Sequence, residues 1–261
     1  GGDAQSITVA VPIKEGNHKV RLNFPDVAGG NYDVILKPQT ADATLDLRSV
    51  TVCKVVKMNS IPLTPEEKKD TLTWAMNNWV EGMMKATGGY VTAWDVVNEA
   101  ISGGGDDGEG FYTLQSAKNV SAEDAKNNFY WQDYLGNEDY VRIVVAAARK
   151  YYAENGGVNP LKLFVNDYNL ESDWDDNKKV KSLVHWIEKW EADGVTKIDG
   201  IGTQMHVSCY ANAVTQKSKE DHVEKMFQIL AESGKLVKIT ELDMGYIDEN
   251  GTSVKTENMT E

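Results

Sequence analysis

The amino-acid sequence predicts an α/β fold built on parallel strands, preceded by a segment of antiparallel β-structure. After residue 58, helical patterns alternate with short apolar, β-branched runs, which is typical of parallel α/β domains. Residues 5–57 instead consist of strand-like runs, several of which alternate apolar with polar residues, and turn residues separate them. The sequence therefore predicts two domains, residues 1–58 and residues 59–261.

The first domain is predicted to be part of an antiparallel β-sandwich of the jelly-roll type. Its strand-like runs are residues 6–11, 19–24, 32–36 and 45–52. Turn-forming residues rich in glycine and asparagine lie between these runs. The pattern changes to helical spacing near residue 58, which places the domain boundary there.

The second domain is predicted to begin with a long helix. Thr64 is a suitable N-cap, Pro65 occupies the first helical position, and Glu67 completes a capping box. Apolar residues then recur at helical spacing until Gly88 and Gly89, where the helix is expected to stop.

Strands and helices alternate through the rest of the chain. The predicted strands are residues 90–97, 161–166, 198–206 and 236–241, and the predicted helices are residues 137–154, 173–193 and 219–233. A long loop rich in glycine and charge, residues 102–128, follows the first strand, and loops of this length are usually functional or mobile. Its aromatic side chains either form part of a cleft wall or pack the loop onto the domain. Residues 103–107 (GGGDD) suggest calcium binding but lack the ligand spacing, so no metal is predicted.

Glu99 and Glu241 each follow a hydrophobic, strand-like run. Side chains from distant segments converge at the carboxyl ends of parallel strands, so the two glutamates are a candidate catalytic pair. Two carboxylates that face one glycosidic oxygen can perform acid/base and nucleophilic chemistry, and a separation of roughly 5 Å predicts retention of the anomeric configuration. The simpler alternative for either residue is a solvated glutamate that ends a strand.

Four segments, in order along the chain, surround this pair. They are residues 95–100 (DVVNEA), 166–169 (NDYN), 199–206 (DGIGTQMH) and 240–243 (TELD). Together they resemble the strand-four to strand-seven motifs of family 10 glycoside hydrolases, the endo-β-1,4-xylanases. The resemblance covers roughly residues 60–250. It implies a (β/α)8 TIM barrel that cleaves xylan with retention.

The resemblance also implies roles for residues in these motifs. Glu99 is the expected general acid/base, Glu241 the nucleophile, and Asn98 a hydrogen-bond donor to the sugar 2-hydroxyl group. His206 is expected to bond Glu241 and to be oriented by Asp243. The nucleophile must stay ionised, which donors from His206 favour. The acid must hold a proton, which burial and the charge of the other carboxylate favour.

Three further residues are expected to line or support the cleft: Asn166, Tyr168 and Gln204. Gln204 and His206 are two positions apart in a predicted strand, so their side chains point to the same face. A histidine in an apolar strand is more commonly a satisfied core residue, but this alternation favours the functional interpretation.

The resemblance covers only part of a barrel, because the family's first three strands and its eighth strand have no counterpart in the chain. We therefore expect residues 1–58 to be the C-terminal part of a carbohydrate-binding module that is inserted after the third strand. The partial barrel and the partial sandwich are expected to have open edges. Either a second copy or a complementary fragment is expected to pair with these edges, or the chain is expected to be part of a larger or nicked polypeptide. Catalysis by the isolated chain is expected to be absent or very low.

The composition is compatible with a carbohydrate substrate. The chain contains 27 Lys and Arg against 40 Asp and Glu, for a net charge of −13. Such an acidic chain does not suit nucleic acid, whose phosphates need a basic surface. No apolar run approaches the length of a membrane span, and no signal-peptide pattern opens the chain. Cys53 and Cys209 are predicted to be free thiols.

The expected partner is therefore xylan or a xylo-oligosaccharide, with no cofactor, no nucleic acid and no membrane span. The resemblance implies a secreted, periplasmic or cell-surface location. The alternative function comes from a different class: a carbohydrate-binding protein, or an inactive fragment of such an enzyme, that keeps the cleft without turnover.

Overall fold

The structure, a computed structural model, describes residues 8–12, 16, 19–22, 33–40, 42, 44–51, 53 and 61–258. The chain falls into two units, Gly1–Asn59 and Ser60–Glu261. No helix in the described part of the chain is apolar over a length that could cross a membrane. Cys53 and Cys209 are both free thiols, as predicted.

The described residues of the first unit form neither helix nor strand. Residues 6, 7, 23, 24, 32 and 52 of the predicted strands lie outside the described residues. Apolar side chains that the sandwich would bury, such as Val34 and Ile35, are exposed. A sheet is stable only when one face packs on another layer. The predicted β-sandwich is therefore not confirmed and stays a prediction.

Helix α1 (Pro65–Thr87) opens the second unit and follows the predicted bounds. The Thr64 hydroxyl accepts a hydrogen bond from the Glu67 N–H at 3.2 Å, and the Glu67 carboxylate accepts one from the Thr64 N–H at 2.8 Å. This is the predicted capping box. Gly88 ends the helix with a φ of 54°, a left-handed conformation that glycine adopts without strain.

Helices and strands alternate along the second unit. The remaining helices are α2 (Ala122–Asn127), α3 (Gln132–Leu135), α4 (Asp139–Glu154), α5 (Lys178–Glu191) and α6 (Ala213–Glu232), with a 3-10 turn at Thr256–Asn258. The strands are β1 (Ala93–Asn98), β2 (Lys162–Asp167), β3 (Gly200–Thr203), β4 (His206–Tyr210), β5 (Leu236–Ile239) and β6 (Asp243–Ile247).

Four of these strands form one parallel sheet in the order β1-β2-β3-β5, which confirms the predicted parallel arrangement. Gly200 of β3 lies beside Phe164 of β2, and a Cβ atom at Gly200 would stand 2.3 Å from the phenyl ring. Only glycine fits at this position. Strands β4 and β6 form a separate parallel pair in which His206 lies opposite Asp243.

The predicted bounds differ most from the structure at three places, each for a local reason. The strand predicted for residues 198–206 is split into β3 and β4, because Met205 has a φ of 58° and turns the chain out of the sheet. Helix α5 begins five residues later than predicted, because Asn177 has a φ of 58°, which a right-handed helix excludes. Helix α6 begins six residues earlier than predicted, because the Asn212 side chain caps two N–H groups of its first turn.

The core of the second unit combines side chains from α1, α4, α5 and α6 with those of β1, β2 and β3. Trp190 of α5 is fully buried, and its indole N–H donates to the Asn137 carbonyl at 2.9 Å, so burial leaves this polar group satisfied. Strands β2 and β3 are buried almost throughout. Strand β5 is mostly exposed. Among the described residues the sheet therefore has a well-packed centre and two edge strands, β1 and β5, of which β5 is the more exposed.

Candidate active site

The candidate site lies at the carboxyl ends of the parallel strands. Glu99, Asn169 and Met205, just beyond β1, β2 and β3, have φ values of 56°, 57° and 58°. A left-handed φ at a non-glycine residue costs about 1–3 kcal/mol, and such residues cluster at functional sites. The Glu99 N–H donates to the Asn166 carbonyl at 2.8 Å, so the neighbouring strand helps to hold this conformation.

A continuous chain of side-chain hydrogen bonds joins the two glutamates. The Gln204 amide donates to Glu99 Oε1 at 3.0 Å and to Asn98 Oδ1 at 3.4 Å. The Asn166 amide donates to the same Asn98 oxygen at 2.9 Å and to Glu241 Oε1 at 2.9 Å. Five of the residues that the sequence singled out are therefore in one connected group.

The amide of Asn98 is held in one orientation. Its oxygen accepts from both Asn166 and Gln204, while no acceptor among the described residues bonds its nitrogen. The orientation of the Asn166 amide is also fixed, because the Thr240 hydroxyl donates to its Oδ1 at 2.8 Å. The Asn98 N–H groups are thus available to a ligand hydroxyl in the cleft.

His206 lies between two carboxylates. Its Nδ1 is 2.7 Å from Asp243 Oδ2, and its Nε2 is 3.2 Å from Glu241 Oε2. The hydrogen bond with Asp243, and then the one with Glu241, raise the pKa of His206 above its ordinary value. Both contacts that the sequence predicted are present. A protonated His206 places a positive charge beside the Glu241 carboxylate.

The two glutamates differ in their surroundings. Glu99, the expected general acid/base, is half-buried. Its backbone carbonyl accepts a hydrogen bond from the Gln115 side chain at 2.6 Å, which ties the following loop to the site. The Glu241 side chain is 42% exposed, because it follows the edge strand β5.

The loop after Glu99 packs against α5 through two of its aromatic side chains. The Phe111 ring stacks on His185 with ring centroids 4.0 Å apart. The Tyr112 hydroxyl donates to Asp175 Oδ2 at 2.8 Å, and the Trp186 indole donates to the Tyr112 carbonyl at 2.8 Å. Of the two alternatives left open by the sequence, packing describes Phe111 and Tyr112.

A cavity of about 150 Å³ borders Tyr168. Its lining includes Ser102 from the loop and Trp174, whose side chain is 66% exposed. Partial burial, and then the charges of Asp167 and Glu99, raise the pKa of Tyr168, so its phenol stays protonated at neutral pH. Tyr168 and Trp174 offer aromatic surface at this end of the site.

Two buried residues that contact the site, Asp167 and Lys179, had no role predicted from the sequence. Lys179 is buried, and its ammonium group is 2.9 Å from Asp167 Oδ1. A signal was present in the sequence, because Leu183 and Trp186 follow Lys179 at helical spacing on the buried stripe of α5. A lysine on such a stripe requires a buried partner.

Asp107, Glu109 and His185 lie close enough together to hold a metal ion. Lys189 already bridges this group, with its ammonium 3.3 Å from Asp107 Oδ2 and 2.7 Å from Glu109 Oε1. Burial raises the pKa of Asp107, but backbone N–H donors from Glu109 and Phe111, with His185 and Lys189, lower it further, to well below its usual range. These ion pairs fasten the loop to α5.

Comparison with known proteins gives concordant matches. Residues 55–261 match the family model of Glycosyl hydrolase family 10. Endo-1,4-beta-xylanase C of Paenibacillus barcinonensis is 29% identical over 194 residues, which cover 72% of this chain and 15% of the relative. Endo-1,4-beta-xylanase A of Caldicellulosiruptor saccharolyticus is 27% identical over 183 residues, covering 70% of this chain and 44% of the relative.

The chain spans less than half the length of these curated relatives. A solved structure of GH10 from Paenibacillus barcinonensis superposes with a TM-score of 0.51 at 29% sequence identity. The match covers 70% of this chain and 46% of that chain.

Proposed function

Because the chain belongs to glycosyl hydrolase family 10, we propose that the protein containing it cleaves internal β-1,4-xylosidic bonds of xylan and xylo-oligosaccharides. The observation that carries this proposal is the hydrogen-bond chain from Glu99 through Gln204, Asn98 and Asn166 to Glu241. It holds two carboxyl groups in one cleft, which is what glycoside hydrolysis requires. The parallel strands that carry these residues fit the (β/α)8 barrel of the family.

The proposed reaction is a double displacement. The Glu241 carboxylate attacks the anomeric carbon while Glu99 gives its proton to the departing glycosidic oxygen, so a covalent glycosyl ester forms and the first product leaves. The ionised Glu99 then removes a proton from water, which attacks the anomeric carbon and releases Glu241. Each displacement inverts the anomeric centre, so the configuration is retained overall.

Neighbouring groups support these roles. His206 stands 3.2 Å from Glu241, and Asp243 fixes the orientation of the imidazole ring. A positive charge there stabilises Glu241 as a carboxylate before attack and after release. The oriented amide of Asn98 is proposed to donate to the sugar 2-hydroxyl group, an interaction that strengthens in the transition state.

Alanine variants of the two glutamates test the proposal. In the full-length protein that carries this chain, Glu99→Ala and Glu241→Ala are each expected to lower the rate on xylan by at least about 10²-fold. On an aryl xylobioside with a good leaving group, Glu99→Ala should still form the glycosyl ester, because that leaving group needs no proton. Added azide should then give the β-xylobiosyl azide with Glu99→Ala and the α-xylobiosyl azide with Glu241→Ala.

Glu154→Ala is a matched control, because Glu154 is an exposed glutamate at the far end of α4. It should leave both rates unchanged. Hydrolysis of xylan at the parent rate by either site variant would refute the assignment. The same azide product from both variants would show that the acid/base and nucleophile roles are not divided as proposed.

The second candidate function is carbohydrate binding without turnover. The exposure of β5 favours it, since the proposed nucleophile follows a strand with few packing contacts. Xylohexaose that binds the parent protein and is recovered uncleaved would establish this alternative.

We further propose that residues 1–58 contribute to a carbohydrate-binding module and that residues 59–261 form part of the catalytic domain. A second copy or a complementary fragment is proposed to cover the open edges. A polymer such as xylan does not cross a membrane, so a secreted, periplasmic or cell-surface location suits its hydrolysis.

A further inference from the structure

Lys179 brings a positive charge to the wall of the cavity that Tyr168 borders. Lys179 is 3% exposed and its carboxylate partner Asp167 is fully buried, with 2.9 Å between the ammonium nitrogen and Oδ1. The same ammonium stands 3.4 Å from the centre of the Tyr168 ring. A buried cation in contact with an aromatic face is attracted by the electron-rich ring. Lys179 therefore restrains the Tyr168 ring, which borders the same cavity as Lys179 does.

Asp167 connects this charge to the ends of three strands. Its Oδ2 accepts the N–H of Ile101, two residues after Glu99, at 3.1 Å. Its Oδ1 accepts the N–H of Tyr168 at 2.9 Å, and its backbone carbonyl accepts the N–H of Gln204 at 3.0 Å. The backbone segments after β1, β2 and β3 thus share one anchor, and Lys179 neutralises the charge of that anchor.

Fold stability by itself does not require such a pair. Removing two charges from water costs more than their attraction commonly returns, and well-packed apolar side chains of similar volume often serve equally well. A buried ion pair does impose one geometry on the groups that it bonds. Here those groups are a site ring and the backbone that carries Glu99 and Gln204.

We propose that Lys179 is a positioning residue for xylan: through Asp167 and the Tyr168 ring it sets the surface against which the sugar chain lies. This inference rests on the proposed function. It predicts that site geometry and fold stability respond differently when the pair is replaced.

Three variants separate the two effects. Lys179→Met and Asp167→Asn each break the pair and should lower the urea midpoint of unfolding, because one charge or polar group loses its partner. Asparagine has a single side-chain oxygen, so in Asp167→Asn one of the Ile101 and Tyr168 N–H groups also loses its acceptor. The double variant Asp167→Asn/Lys179→Met removes both charges and should recover the part of that midpoint that the unpaired charge cost. Its affinity for xylohexaose, measured in the Glu241→Gln background to prevent turnover, should nevertheless stay about tenfold or more below that of the parent.

Lys178→Met is the matched control. Lys178 is the adjacent residue at the start of α5, and its ammonium also lies over a tyrosine ring, that of Tyr112. Tyr112 packs the loop onto α5, so Lys178→Met should leave xylohexaose affinity unchanged. Parent affinity in the double variant, with its midpoint recovered, would reduce the pair to a structural role and overturn the inference.

A second measurement addresses the path through Tyr168. If Lys179 acts by holding this ring, Lys179→Met should cost little further affinity in a Tyr168→Leu background, whereas a general structural effect would add to that of Tyr168→Leu. Full additivity would contradict the inference.

A third measurement needs no substitution at Lys179. The ε-methylene protons of a lysine held over a ring resonate upfield, and Lys179 lies nearer to a ring centre than Lys178 does, at 3.4 Å against 4.8 Å. The most upfield lysine signal of the parent protein should therefore return to its usual position in Tyr168→Leu and move when xylohexaose is added, while the other lysine signals stay. Absence of an upfield lysine signal that Tyr168→Leu removes would overturn the inference even if no Lys179 variant folds. If xylohexaose does not bind the parent, the proposed function fails first, and the positioning role fails with it.

Discussion

The two halves of the candidate site rest on strands with different surroundings. Asn166 lies in the interior strand β2, and Gln204 follows the interior strand β3. Each is 2% exposed. Glu241 and His206, at the β5 edge and at the start of β4, are both exposed. The same hydrogen-bonded group therefore has a buried half and an open half.

The contrast arises from the position of the strands in the sheet. Strands β2 and β3 each pair on both sides, and helices cover them. Strand β5 pairs only with β3 among the described residues, and its side chains Leu236 and Ile239 are about half exposed. Strands of a parallel sheet are normally covered on both faces. The interior strands therefore hold Asn166 and Gln204 rigidly. How rigidly Glu241 is held depends on the second copy or complementary fragment proposed to cover β5.

The largest expected effect comes from one substitution made at both places. Leu163 of β2 is fully buried, and Leu236 of β5 is 48% exposed. Leu163→Ala should lower the free energy of unfolding by about 2–5 kcal/mol, because it leaves a cavity in a packed core. Leu236→Ala should cost less than about 1 kcal/mol. Urea unfolding of dilute samples measures both free energies. Equal losses for the two variants would mean that β2 and β5 do not differ in packing.

The next effect concerns catalysis. Asn166→Ala removes the amide that connects Asn98 to Glu241, so both lose their orientation. A hydrogen bond to a charged group is worth about 1.5–3 kcal/mol, which corresponds to a loss of about 10- to 100-fold in kcat/KM. The kcat/KM for xylo-oligosaccharide hydrolysis by the full-length protein measures this loss. Asn155→Ala, at the end of α4, is the control, and a similar loss there would mean that the effect is not specific to the site.

Association through the open edge is the third expectation. If a second copy covers β5, light scattering should show an average mass that rises above the 28.9 kDa of one chain as concentration increases. Ile239→Lys places a charge on this edge and should abolish the rise. Val195→Lys, at an exposed apolar residue outside β5, should leave the rise in mass unchanged. A concentration-independent monomer would instead leave a complementary fragment as the proposed partner.

The smallest expected effect is a pH dependence of fold stability that arises from His206, in the exposed half of the site. The pKa of His206 is raised from 6.5, so protonation of the folded state stabilises it. That stabilisation is fully present below about pH 6.5 and is lost as the pH rises through the higher pKa of the folded state. Imidazole NMR should show His206 titrating above 6.5, and Asp243→Ala should bring the value down. Asp221→Ala, at a surface ion pair with Lys217, should leave it unchanged.

Much of the fold was predictable because its signals are local. Helix α1 begins and ends where Thr64 and Gly88 require, since capping chemistry acts within a few residues. The parallel strands follow from short apolar runs between helices. The splitting of the predicted strand at Met205 was not predictable, because its left-handed φ is imposed by the site and not by residue preference.

By itself, the sequence determined the kinds of elements in the second unit, the two candidate carboxylates and the motifs around them, because residue order and hydrophobic spacing carry that information. Only the tertiary structure decided that the Asn166 amide bonds both Asn98 and Glu241, that Lys179 contacts the Tyr168 ring, and that β5 is exposed while β2 is buried. Those contacts join residues far apart in the chain. They depend on how strands and helices pack in three dimensions, which periodicity along the sequence does not encode.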